Sequence, residues 1–134
     1  MIDRLEGYDW LKAKWADCGK LFKAEPVLVV IHSGAVAPGV ARYLATVPDK
    51  RKVSAHFSWH PPVQNFVQQV SLAREAWHAG GSVWTGQRAN ALSIGIELPG
   101  PWRAKPRQPV ERMQLRELLL SLRYTCPNLL WITG

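Results

Sequence analysis

Four histidines and a carboxylate set among strand hydrophobes are the residues of this chain with the most chemistry to offer. His32 closes the run Val27-Leu28-Val29-Val30-Ile31, and small residues follow it. In α/β sheets ligands gather at the carboxyl ends of the strands, so His32 is a candidate metal ligand. A histidine simply hydrogen-bonded at a strand end would look the same. Glu97 lies within Ile94-Gly95-Ile96-Glu97-Leu98. Burying a carboxylate there is costly without a partner. Side chains alternate along a strand, so Gly95 and Glu97 share a face and Gly95 leaves room beside the carboxylate. A base serving a metal-bound water fits that space, and so does a strand carboxylate paired with an arginine.

The segment Trp77-His78-Ala79-Gly80-Gly81 ends in small residues that let a substrate approach the backbone. Trp77 offers a flat apolar face suited to a sugar ring, and His78 offers a donor; a core tryptophan before a glycine turn is the plainer alternative. His56 and His60 share a face of one strand if it is regular, as two ligands or as a packed pair. Seven tryptophans are many for 134 residues, and exposed ones would suit carbohydrate stacking. Other chemistries lack their templates: there is no Gly-rich phosphate loop, no G-x-S-x-G and no C-x-x-C. Cys18 and Cys126 read as free thiols.

The elements that must position these residues follow from the pattern. Leu5, Tyr8, Leu11 and Trp15 predict a weak lead-in helix over residues 3–17, with Gly7 against it. The β-branched run 27–31 predicts a strand buried on both faces. Residues 33–39 read as a loop and 40–46 as a turn or two of helix. Residues 53–59 alternate as a strand, Pro61-Pro62 stops it, and 65–70 form its hairpin partner. Residues 93–98 form another strand, and the proline-rich stretch 99–109 reads as a polar loop. Leu115, Leu118, Leu119 and Leu122 make one helical stripe after Pro109, and residues 129–133 make a last strand. That order predicts a single α/β domain over 1–134, a central mixed β-sheet flanked by helices, with 1–26 as an N-terminal lead-in.

Composition narrows the function classes. Hydrophobic residues form 47% of the chain, enough for a core and too many for disorder. The longest apolar run, Val27–Ile31, is far short of the ~20 residues of a membrane span. The first residues are charged with no apolar region behind them, so synthesis in the cytoplasm without a signal peptide is expected. The net charge of +7 resides entirely in residues 50–134. That basic half suits an anionic partner, whether an anionic cell-wall polymer, an acidic protein, a membrane surface or, least expected of these, nucleic acid; a solvated basic face with no partner reads the same.

The order of four blocks is more specific than any one of them. Val29-Val30-Ile31-His32, Val53-Ser54-Ala55-His56-Phe57, Ala76-Trp77-His78-Ala79-Gly80 and Asn90-Ala91-Leu92-Ser93-Ile94-Gly95-Ile96-Glu97-Leu98 together resemble the zinc N-acetylmuramoyl-L-alanine amidases. These share a fold with the peptidoglycan-recognition proteins. The resemblance runs from about Val27 to Gly134 and is nearest to the cytoplasmic anhydro-muropeptide amidases and phage endolysins. It implies hydrolysis of the amide between N-acetylmuramic acid and L-alanine, in wall recycling or lysis, with peptidoglycan or a muropeptide as partner. It also implies action in the cytoplasm, release by a phage to the cell wall or periplasm, or incorporation in a phage particle. By resemblance His32 matches the first zinc ligand and Glu97 the carboxylate that handles the zinc-bound water. Trp77, His78, Ala79 and Gly80 match the groove wall, and Asn90 a position beside it.

The family takes its other two zinc ligands and a lysine from a segment that begins Gly-His after the last strand. The sequence here reads Trp131-Ile132-Thr133-Gly134 at that point. Three expectations follow: a fragment of a longer amidase, a short form that binds peptidoglycan or serves in a phage assembly without cutting, or a site completed by His56, His60 or His78.

Overall fold

The computed structural model describes residues 2–34, 39–99 and 108–133. Strand β1 spans Leu28–Gly34 and helix α1 Val40–Thr46. Strands β2 (Phe57–His60) and β3 (Asn65–Gln68) form a hairpin around a 3-10 turn at Pro61–Val63. A small ribbon follows, β4 (Val83–Trp84) with β5 (Gln87–Arg88). Then come β6 (Ser93–Pro99), α2 (Pro109–Thr125) and β7 (Trp131–Thr133).

Five strands form one sheet in the order β3-β2-β6-β1-β7. β1 runs parallel to both β6 and β7, β2 runs parallel to β6, and only β3 is antiparallel. The sheet is therefore mixed, as the sequence pattern predicts. One face carries Val29, Phe57, Ile94, Ile96 and Leu98, which pack with Leu118 and Leu122 of α2. These leucines are the stripe read from the sequence. On the α1 side of the fold Val40 and Leu44 pack with Val47 and Ala55. The other parity of the strands carries the polar residues: His32 on β1, then Ser93, Gly95 and Glu97 on β6.

Two expectations are corrected. Residues 3–17 form no helix; they run as turns and bridges along the outer side of β3. Gly7 sits at φ +89, a left-handed conformation that interrupts any helix. The segment's polar backbone is instead satisfied by two buried glutamines. Gln68 accepts from the Leu5 N–H and donates to the carbonyls of Asp3 and Val70, and Gln69 donates to those of Leu11 and Ala41. The second correction is the start of β2, at Phe57 rather than Val53. His56 takes the place of a ladder residue with its own ring: its Nδ1 accepts from the Gly95 N–H while its N–H donates to the Gly95 carbonyl. The loop expectations at 33–39 and 99–109 fall largely on residues 35–38 and 100–107, which lie outside the described residues.

Candidate active site

His32 and Glu97 are direct partners in the parallel register of β1 and β6, near the carboxyl ends of both strands. Partners in a parallel ladder project to the same face, so both side chains belong to one end of one sheet face. Burial pushes the Glu97 carboxyl up to about 7, and it has no hydrogen-bond partner among the described residues. The alternative pairing with an arginine is not made among the described residues. On its other side Glu97 faces Ser58 in register. The Ser58 hydroxyl is fully buried and also lacks a hydrogen-bond partner among the described residues.

The space that Gly95 leaves beside Glu97 is occupied. A Cβ at position 95 would lie 2.4 Å from Cγ of His78, so the glycine exists to admit that ring. His78 Nδ1 lies 2.9 Å from His32 Nε2, and its Nε2 lies 3.0 Å from the Ser93 hydroxyl. His78 is strongly depressed, to about 2, by burial and by the neighbouring His56 and His32. Asn90 holds the segment from below: its Oδ1 accepts from the N–H groups of His78 (3.3 Å) and Ala79 (2.9 Å). Gly80, at φ +56, then turns the chain away.

His32, His78 and Ala79 line a cavity of about 280 Å³ with Trp84 and Thr133. A larger groove of about 550 Å³ lies between α2 and β7, floored by leucines and flanked by arginines, and contains none of these groups. Trp77 lies outside the small cavity. It stacks on Trp15 at 6.4 Å between ring centres, with the Lys52 ammonium over the ring. His78 turns onto the sheet at Gly95, and Trp77 turns toward Trp15. Trp84, Ser93, Ser58 and Thr133 are site neighbours that sequence reasoning did not single out. The Thr85-Gly86 turn, with φ of 50 and 80, was the available signal for the ribbon that presents Trp84.

The structure does not assemble a metal centre from the other histidines. Both ring nitrogens of His56 are engaged, one by the Gly95 N–H and the other by the Arg74 carbonyl. Among the described residues no three His, Cys, Asp or Glu side chains come together in a way that could hold a metal ion. A catalytic zinc takes three protein ligands, so the described residues alone do not fit it. Among the described residues, His56, His60 and His78 do not complete a three-ligand site with His32.

The architecture is that of a single mixed-sheet α/β domain, with polar groups at the carboxyl ends of two parallel central strands. Residues 22–129 match the N-acetylmuramoyl-L-alanine amidase family model, and the chain belongs to that family. It is 38% identical over 76 residues to the 1,6-anhydro-N-acetylmuramyl-L-alanine amidase AmpD of Citrobacter freundii. That match covers 56% of this chain and 40% of the relative, so it spans less than half of the relative's length. The fold is shared with the crystal structure of a selenomethionine AmpD derivative, at TM-score 0.77 and 23% identity, covering 99% of this chain and 85% of that one. It is shared also with the endolysin N-acetylmuramoyl-L-alanine amidase LysCS of Clostridium intestinale, at TM-score 0.68 and 15% identity, covering 98% and 82%. Among the described residues no helix is long and apolar enough to cross a membrane.

Proposed function

We propose that this domain hydrolyses the amide bond between N-acetylmuramic acid and the L-alanine of a peptidoglycan stem peptide, and that its working form carries zinc. The observation that supports this reading is the register pairing of His32 with Glu97 at the ends of adjacent parallel strands, with His32 lining the cavity of about 280 Å³. Of the described residues, His32 is the one we assign to zinc.

The roles of the chain's own residues follow from their chemistry. A carboxyl held near neutrality exchanges protons in both directions, so Glu97 suits the transfer of a proton from water to the departing amine. Trp84 and Ala79 form the wall against which an apolar sugar face would rest. Asn90 holds the backbone at His78 and Ala79 in place. The basic half of the chain would draw the domain to an anionic wall polymer.

The test is to incubate the zinc-loaded chain with a muramoyl-peptide and follow free stem peptide by mass spectrometry. Release that is abolished in Glu97→Gln, with the fold retained, supports the reading. Binding to purified sacculi with no release from zinc-loaded protein would assign the domain to recognition instead.

A further inference from the structure

We infer that Ser93 and His78 are positioning residues that hold the proton of His32 on Nε2 and leave its Nδ1 lone pair free. The inference deepens the reading of His32 as the working imidazole of this site, and it comes from counting protons along one chain of hydrogen bonds.

Ser93 is fully buried on β6, and its hydroxyl has one hydrogen. That hydrogen goes to the Ala89 carbonyl at 2.6 Å, because a carbonyl can only accept. The same oxygen lies 3.0 Å from His78 Nε2 and has no hydrogen left to give. His78 Nε2 must therefore be the donor. The His78 ring is packed between the His32 and His56 rings with no carboxylate among its hydrogen-bond partners, so it is held neutral, and with its proton on Nε2 its Nδ1 is an acceptor. Its neighbour at 2.9 Å, His32 Nε2, must then carry hydrogen and donate. In the neutral form of His32 only Nδ1 is left with a lone pair, and it has no hydrogen-bond partner among the described residues. The ring nitrogen left open on His32 is thus chosen by a serine that acts through one intervening imidazole.

The surrounding structure keeps this relay in place. Gly95 gives the His78 ring its room, and Asn90 fixes the His78 backbone. His56 provides an internal reference. Its Nδ1 accepts from the Gly95 N–H, so its Nε2 must donate to the Arg74 carbonyl, independently of Ser93.

Long-range proton–nitrogen NMR of the 15N-labelled full chain at neutral pH reads each tautomer directly. The expected spectrum shows His32, His56 and His78 all protonated on Nε2. A proton on Nδ1 of His32 overturns the inference. In Ser93→Ala the His32 signals should shift to a mixture of tautomers while His56 keeps its own, and Ser93→Thr should restore the single form. A folded Ser93→Ala chain, with His56 unchanged and His32 also unchanged, overturns the positioning role. If Ser93→Ala does not fold, the parent spectrum alone decides. The Nε2 form without amidase activity would sink the functional proposal and leave this one standing; activity with the Nδ1 form would do the reverse.

Discussion

Gly95 and the ring of His78 compete for one space: a side chain at 95 would begin 2.4 Å from the imidazole. The strand gives up a side chain so that a loop histidine can lie flat on the sheet between His32 and Ser93.

Gly95→Ala should therefore act on the site rather than on the strand. The methyl group must push the ring off both of its hydrogen bonds, an overpacking cost of about 1–3 kcal/mol. The melting temperature should fall, and amidase activity should fall further than the stability loss accounts for. Activity equal to the parent's in a folded Gly95→Ala chain would show that His78 is free to move without consequence.

Glu97 makes a pH-dependent prediction. Its carboxyl sits at about 7 in the fold against an ordinary 4.5. Between those values the folded chain holds a proton that the unfolded chain has released. Stability from this source is present at low pH and is lost as pH rises through 7. Glu97→Gln removes that loss, so the variant should be inactive yet more stable than the parent at pH 8, by about 2 kcal/mol after allowing for partial exposure. At pH 5 the two should unfold at nearly the same urea concentration. Equal stability at pH 8 would mean that the carboxylate is solvated.

His56 predicts the opposite trend at lower pH. Burial holds it down to about 4 from 6.5. The unfolded chain binds a proton in that window and the folded chain does not. Its contribution is complete above about 6.5 and is lost as pH falls through 4, on the order of 3 kcal/mol. His78, depressed further, adds in the same direction. Urea unfolding across this range should show stability dropping with acid in Glu97→Gln more steeply than in the parent, where Glu97 offsets part of it. A flat profile in Glu97→Gln would contradict the buried, neutral state of His56.

Much of this arrangement is legible in the sequence, and the illegible part has a physical cause. The runs at β1 and β6 and the leucine stripe of α2 are local signals, because each is buried by its own periodicity. Strand parity alone puts Gly95 and Glu97 on one face. What fills the space at Gly95 is not a local matter: His78 arrives from a segment seventeen residues earlier, and only the sheet register brings the two together. The Ser93–His78–His32 relay is invisible for the same reason. The lead-in misleads because apolar spacing near Leu5 and Tyr8 mimics a helix. Gly7 and the long-range bonds of Gln68 and Gln69 decide it otherwise.

Asn90→Ala should loosen the site without touching its ionisable groups. The buried amide oxygen serves two backbone N–H groups, at His78 and Ala79. Leaving these donors unsatisfied costs about 1–3 kcal/mol. Hydrogen exchange at residues 78 and 79 should accelerate well beyond that of the β1 and β6 amides. Uniform acceleration across the sheet would indicate global destabilisation and deny Asn90 a local role.

The two tryptophans nearest the site separate stability from binding. Trp77 is the residue that the family resemblance places in the groove wall, but its ring stacks on Trp15 beneath Lys52. Trp84 is carried by a two-stranded ribbon into the lining of the cavity. Trp77→Ala should remove packed aromatic area and cost about 2–4 kcal/mol, somewhat below a fully buried ring because this one is half-buried. Its substrate affinity, measured well below the melting temperature, should be close to the parent's. Trp84→Ala should reverse the pattern, with a small change in melting temperature and a muropeptide affinity reduced about tenfold, the loss of one sugar-stacking face at ~1–1.5 kcal/mol. Isothermal titration of both variants with one muropeptide settles the assignment. If Trp77→Ala weakens binding and Trp84→Ala does not, the substrate lies on the Trp15 side of the loop, and the cavity beside His32 is not where the sugar rests.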